Sequence, residues 1–216
     1  MPVVPFKPGT DKLLRLDFTS ANSDLTDDII NDIGRFSHYI EQRLAVTGAR
    51  YGIGGYGEHR TIYSRSGLFD DGEEPRRLHL GTDLWSPAGT PVMAPLAGTV
   101  HSFANNSAAG DYGATIILQH ELDEVFFYSL YGHLSLASIN DLAAGKKIAA
   151  GEQFAEFGAP SENGYWPPHL HFQLINDIGK YKGDYPGVCR FSAKEQWLRN
   201  SPEPDLVIRM NRFISP

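Results

Sequence analysis

The stretch Trp166-Pro167-Pro168-His169-Leu170-His171-Phe172-Gln173-Leu174 alternates polar and apolar residues, the pattern of a half-buried β-strand. Residues two apart in a strand share a face, so His169 and His171 point one way while Leu170, Phe172 and Leu174 point the other. Two imidazoles on a rigid strand can bind a metal together. Alternatively, one ring sits on a metal and the other stands beside it as an acid or base. A short H-x-H recurs by chance, so the chemistry needs partners elsewhere in the chain.

The partners come from Leu78-His79-Leu80-Gly81-Thr82-Asp83-Leu84. His79 and Asp83 are four apart, a spacing that shares a face in a helix and in a strand alike. Composition favours the strand: Leu78, Leu80 and Leu84 fall on the opposite parity, Gly81 and Thr82 are poor helix formers, and a Pro87-Ala88-Gly89 turn follows. Read as one strand, His79, Gly81 and Asp83 line one surface, and Gly81 removes the side chain that would lie between the two donors. Two imidazoles and one carboxylate make three ligands, the number found at catalytic zinc sites that keep a fourth position for water.

Together with Tyr131-Gly132-His133-Leu134-Ser135, these segments resemble the M23 (lysostaphin/LytM-type) metallopeptidases. The resemblance runs from about Arg77 to Ile175. It takes in Gly89-Thr90-Pro91-Val92-Met93-Ala94-Pro95 and Gly98-Thr99-Val100, which are similar to the family's strand-turn-strand. It implies one Zn2+ ion held by His79, Asp83 and His171, with His133 and His169 as the catalytic pair beside it. One of that pair would orient or deprotonate water and the other would hydrogen-bond the tetrahedral intermediate; which does which stays open. Zinc brings the pKa of water at its open position to about 7. No Glu adjoins the ligands as it does in H-E-x-x-H enzymes, so the base must be another residue.

The function implied is that of a zinc metalloendopeptidase cleaving peptide or amide bonds, with peptidoglycan cross-bridge peptides as substrate. A second resemblance rests on Asn163 to Ile175 and on Tyr185-Pro186-Gly187-Val188. It is to the non-secreted M23-type module found fused to class III aminotransferases, and it implies instead a cytoplasmic zinc hydrolase of a small peptide or amide metabolite. A third reading is a metal-binding interaction module that turns nothing over. The presence of all five site positions favours catalysis.

To position these groups the chain needs strands. The expected fold is mainly β (β-rich α+β), with two packed antiparallel sheets of the lysostaphin-like, duplicated hybrid motif type. Three stretches follow: an amino-terminal extension over 1–76, a core over 77–176, and a carboxy-terminal extension over 177–216 packed on that core. Capping residues and early acids from Asn22 to Asp28, followed by an apolar stripe of Ile29, Ile30, Ile33, Phe36, Ile40 and Leu44, predict a helix over about 25–46. His38 within it reads as an ordinary helix histidine.

The glycine-dense stretch Tyr51 to Arg60 meets neither phosphate-loop pattern and reads as a turn followed by a strand at Arg60 to Ser64. Its functional alternative is a loop over the cleft in which Tyr56, His59 or Arg60 contacts substrate. Thr90 to Ala94 and Thr99 to Phe103 read as a pair of strands, and Ala114 to His120 with Val125 to His133 as a hairpin. In that hairpin Val125, Phe127, Ser129, Tyr131 and His133 would share a face. Gly145 to Ala155 continues the strand rhythm. Tyr165 and Trp166 either wall a groove or seal the core edge, and Ser192-Ala193-Lys194-Glu195 reads as a capping box starting a short helix through Leu198. His101 and His120 read as structural or solvated.

Composition sets the outer bounds. A chain of 216 residues can bury a sizeable core, and its 22 glycines and 14 prolines point to many turns. A net charge of −7 without long runs of one sign does not make a nucleic-acid surface. Cys189 is the single cysteine, so no internal disulfide forms. Prolines and glycines break the longest uncharged stretch, Leu84 to Gly110, which excludes a membrane helix there. Met1 to Pro8 lacks the charged and apolar regions of a signal peptide. The expected location is therefore cytoplasmic, or periplasmic or extracellular if a leader has been removed. Oligomeric state is not legible.

Overall fold

The computed structural model describes residues 1–70 and 72–214. Its strands are β1 (Leu13–Leu16), β2 (Tyr51–Gly54), β3 (Arg76–His79), β4 (Thr82–Trp85), β5 (Pro91–Met93), β6 (Gly98–Asn106), β7 (Gly113–Leu122), β8 (Val125–Leu134), β9 (Lys147–Ile148), β10 (Gln153–Glu156), β11 (His169–Ile175) and β12 (Val188–Arg190). Eight of them form one sheet in the order β1-β2-β4-β11-β8-β7-β6-β9, and β10-β5 and β12-β3 make two small sheets. The chain is mainly β with packed sheets, as expected, but the sheets are unequal in size. Pairing is antiparallel throughout except for β1 with β2.

The two faces of the large sheet follow from alternation. On one face Leu84, Leu170, Phe172, Leu174, Tyr131, Ile116 and Leu118 form the main core, closed by Val3, Val4 and Phe6 from the amino terminus and Ile208 and Met210 from the carboxy terminus. The opposite face carries Asp83, Trp85, His169, His171 and Gln173. β4, β11 and β8, which carry most of the site, are central strands paired on both sides, so their backbones are held rigidly.

Several expectations need correction. The helix over 25–46 is two: α1 (Asp27–Ile30) and α2 (Ile33–Thr47). Asp32 breaks the run because its side chain caps α2 by accepting from the Arg35 N–H. α2 buries Phe36, Ile40 and Leu44 at four-residue spacing, with Phe36 against Phe18 and Trp85, and ends at Gly48 in the left-handed conformation.

Tyr51 to Gly54 is a strand rather than a turn, and the strand expected at Arg60 to Ser64 is a 3₁₀ turn, Thr61–Arg65. Gly52 permits the strand: a Cβ there would meet the Leu16 side chain of β1. Leu78 to Leu84 is not one strand but β3 and β4, broken at Leu80-Gly81 and sent to different sheets. β5 and β6 exist but are not partners; β5 pairs with β10, and β6 with β7 and β9. The β7–β8 hairpin closes through Asp123 and Glu124, both at positive φ, the geometry of a two-residue hairpin turn.

The short helix α3 (Ala137–Asn140) follows β8, and near the carboxy terminus come the short helices α4 (Lys194–Asn200) and α5 (Asp205–Ile208). No capping box starts α4: Ser192 bonds to Glu74 instead. Among the described residues no helix is long and apolar enough to cross a membrane.

Candidate metal centre

Strand register brings the site together. In the β4–β11 pair His171 stands directly opposite Asp83 and His169 opposite Trp85. His79 arrives from the end of β3, so the break at Leu80-Gly81 lets it turn in above the same face. His79 Nε2 lies 2.9 Å from His171 Nδ1 and 3.2 Å from Asp83 Oδ1, and His171 Nδ1 lies 3.0 Å from that same oxygen. A tetrahedral ion with bonds of about 2.1 Å has ligand atoms about 3.4 Å apart. The three donors fit such an ion after shifts of a few tenths of an ångström.

The outer hydrogen bonds fix which nitrogen of each ring carries its proton. His79 Nδ1 donates to Gly55 O at 3.1 Å, which leaves Nε2 as a lone pair. His171 Nε2 donates to Gln173 Oε1 at 2.9 Å, which leaves Nδ1 as a lone pair. Gln173 cannot reverse its amide, because its Nε2 donates to Pro186 O and Ser201 Oγ. All three inward atoms are therefore unprotonated nitrogen or carboxylate oxygen, a donor set suited to zinc.

His133 and His169 stand beside this cluster. His169 Nδ1 donates to Pro167 O and His133 Nδ1 to Asn163 O, each at 2.8 Å. Both rings therefore turn an unprotonated Nε2 away from their anchors. Trp85 stacks on His169 at 4.0 Å between centroids, nearly parallel. His133 does not reach the site by alternation. Ala114 pairs with Leu134 and Ile116 with Tyr131, which leaves Gly132 and His133 opposite Thr115 as a bulge. With φ of +62° at His133, the side chain swings to the site face while Tyr131 and Leu134 stay in the core. The expectation that His133 shares a face with Tyr131 is thus corrected.

Burial governs the charges. His133, the most exposed of the five site residues, is only 6% accessible. Burial lowers the His79 pKa to about 3 and that of His169 to about 4. It also holds His133 well below its usual value, with the neighbouring His169 adding to the effect. For Asp83 burial acts upward, but its neighbours, His79 and the Arg60 guanidinium first among them, outweigh it and keep the carboxyl well below its usual range. Near neutral pH these three imidazoles are neutral and Asp83 is ionised.

The sequence reading missed several residues around this cluster. Arg60, considered as a substrate contact, is fully buried and donates through Nη1 to Asp83 Oδ2 at 2.5 Å. Gln173 shares strand parity with His171, a signal that could have identified it. Gly55 belongs to the glycine-dense segment, whose backbone carbonyl orients His79. Of the other two residues weighed there, Tyr56 donates to Ser201 O and His59 packs edge-on against Phe191.

A cavity of about 260 Å³ opens over the cluster. Residues 61–69 form one wall and bridge to the opposite rim: Arg65 donates to Tyr165 O and lies over the Trp166 ring, and Ser66 Oγ donates to Ala109 O. Trp166, half of the aromatic pair left open from sequence, both lines the cavity and is buried, whereas Tyr165 is exposed.

The chain has relatives among known proteins. At 26% identity over 160 residues the chain is similar to an L-Ala--D-Glu endopeptidase of Bacillus subtilis (strain 168), covering 68% of this chain and 47% of that protein. At 34% identity over 98 residues it is similar to an uncharacterized metalloprotease of Haemophilus influenzae, covering 45% and 18%. The chain thus spans about half, or less, of the length of these curated relatives. Among solved structures, the catalytic domain of lysostaphin from Staphylococcus simulans matches with a TM-score of 0.43 and 22% identity over 74% of this chain and 96% of that one. The catalytic domain of the prophage-encoded M23 protein EnpA from Enterococcus faecalis (A109H mutant) matches at 0.38 and 23% over 52% and 75%. The family model for Peptidase family M23 matches residues 77–182, which contain all five site residues. Over that span, just under half of the chain, the sequence is similar to peptidase family M23.

Proposed function

We propose that the protein is a zinc-dependent metallopeptidase that hydrolyses amide bonds in peptidoglycan-derived peptides, with His79, Asp83 and His171 as metal ligands and His133 and His169 as catalytic residues. The observation that carries this reading is the convergence of three unprotonated donors within 3.2 Å of one another, with two further neutral imidazoles beside them. When bound, a divalent cation supplies Lewis acidity toward a carbonyl and toward water.

The protein's own residues do the rest. His133 and His169, held neutral by burial, each offer an Nε2 lone pair to receive a proton from water. Once protonated, the same atom can donate to an oxyanion or to the departing amine. Their ring centroids are 4.0 Å apart, so two imidazolium charges there would repel strongly, and the pair carries one proton at a time. The carbonyls of Asn163 and Pro167 keep both rings in the tautomer this task needs. The aromatic side chains of Tyr63 and Trp166 wall the cavity above the cluster. The activity named for the B. subtilis relative supports the choice of substrate class.

The bridging segment 61–69 favours a second reading, hydrolysis of a small free peptide or amide, because it closes a side of the cavity that a cross-linked polymer would have to cross. Incubation of the zinc-loaded protein with purified peptidoglycan and, separately, with short peptides containing glycine or D-amino acids distinguishes the two by mass spectrometry of the products. Fragments released from the polymer support the first reading, and cleavage confined to free peptides supports the second. Absence of cleavage by fully loaded protein would sink both and leave a metal-binding interaction module.

A further inference from the structure

Arg60 lies outside the matched span 77–182, yet no atom of it reaches solvent and it touches the carboxylate at the heart of the site. We infer that Arg60 is a positioning residue for the metal centre: by holding Oδ2 of Asp83 it restricts that carboxylate to one donor oxygen and so keeps a coordination position free for water or substrate. The inference rests on the metallopeptidase reading and adds to it a residue from the amino-terminal extension.

The two oxygens of Asp83 have separate partners. Oδ1 faces His79 Nε2 and His171 Nδ1, whereas Oδ2 accepts from Arg60 Nη1 at 2.5 Å. A carboxylate free at both oxygens can chelate a cation through both and fill the corner that catalysis needs. A guanidinium on the second oxygen prevents this. Lysine would be a poorer holder, because a single ammonium lacks the planar fork that bonds two acceptors at fixed angles.

Arg60 is itself immobilised. Its Nε donates to Glu58 Oε2 at 2.7 Å, its Nη1 also reaches Tyr63 OH at 3.3 Å, and its Cζ sits 5.2 Å from the centre of the Phe18 ring. The backbone adds a frame: Arg60 N donates to Arg77 O, and His79 N to Glu58 O, each at 2.9 Å. The segment carrying the guanidinium therefore runs alongside the strand carrying His79. Gly54 makes room, since a Cβ there would stand 2.5 Å from Arg60 Nη2. Nε and Nη1 are committed to carboxylates, while Nη2 lies beside Gly54, buried and without a hydrogen-bond partner. The complete burial of the side chain argues against a substrate-contact role.

The test compares native protein, Arg60→Met and Arg60→Lys after loading with cobalt(II), whose visible absorption is strong when four-coordinate and weak at higher coordination number. Circular dichroism of the metal-free proteins establishes folding. The native protein is expected to give the strong spectrum. Folded Arg60→Met should lose roughly threefold or more of that intensity as Asp83 turns bidentate. Its kcat should fall at least tenfold, the usual scale for losing an outer-shell partner, with KM little changed. Arg60→Lys should recover part of both.

A folded Arg60→Met with native cobalt absorption would overturn the inference while leaving the metal centre intact. Failure of the native protein to bind zinc or cobalt would instead overturn the metallopeptidase reading, and this inference with it. Should Arg60→Met fail to fold, X-ray absorption on zinc-loaded native protein decides: one carboxylate oxygen at bonding distance supports the assignment, and two overturn it.

Discussion

His133 and His169 sit with ring centroids 4.0 Å apart, although one comes from a bulge with a left-handed backbone and the other from a regular central strand. Neither belongs to the trio whose donors lie within 3.2 Å of one another. That separation predicts different consequences of mutation. His133→Ala should retain stoichiometric zinc after gel filtration and lose turnover by about 10²–10⁴-fold, the scale of a lost general acid or base. His79→Ala should lose both. Equal zinc loss in the two variants, measured by elemental analysis, would show the division between ligand and catalyst to be wrong.

Gly81 is required by the approach of His171. A Cβ on residue 81 would stand 2.6 Å from His171 Cε1 and 2.8 Å from the backbone oxygen of Phe172, and the backbone atom cannot move without disturbing the β4–β11 register. Gly81→Ala should therefore cost about 1–3 kcal/mol of stability, as overpacking does, and should also reduce zinc occupancy. Gly67→Ala is the control, because a Cβ there meets nothing within 4 Å; it should change stability by less than about 0.5 kcal/mol. Urea titration of the metal-free proteins checks both.

Gln173 fixes the proton of His171 through the 2.9 Å bond from Nε2 to Oε1. Gln173→Leu keeps the apolar bulk but removes the acceptor, so the ring can place its proton on the inward nitrogen or rotate. Zinc affinity should fall by about 10–100-fold. Gln173→Glu, which still accepts from Nε2, should bind zinc more tightly than the leucine variant. Competition with a chromophoric chelator reads the order, and equal affinity of the leucine variant and the native protein would remove Gln173 from the centre.

Much of the site was legible because strand parity is a strict rule. His169 and His171 share a face, Leu170 and Phe172 share the other, and Gly81 lies where a side chain could not. The features that escaped depend on tertiary context. The bulge at His133 breaks parity without any glycine at that position. Leu78 to Leu84 kept its donors on one side although the chain crosses between two sheets there. Arg60 bears on Asp83 only because the glycine-dense segment before it is a strand and its own backbone runs along β3, a pairing with no local periodicity to announce it. For the amino-terminal helix the apolar stripe marks the buried face but runs straight through Asp32, so it gives no sign of the cap that splits the helix in two.

The buried histidines also predict how stability depends on pH. In the unfolded chain each imidazole titrates near about 6.5, whereas in the folded protein His169 titrates near 4, His79 near 3 and His133 well below its usual value. Between these limits the unfolded state binds more protons, so stability is fully present above about pH 6.5 and is lost as pH falls toward the folded values. Each histidine contributes a slope of up to about 1.4 kcal/mol per pH unit. The urea midpoint of metal-free protein should therefore drop steadily from pH 7 to pH 5. His133→Phe, which keeps an aromatic ring without the titrating nitrogen, should flatten that slope. A midpoint unchanged across this range would mean that these rings take up protons in the folded state as readily as in water, contrary to their burial.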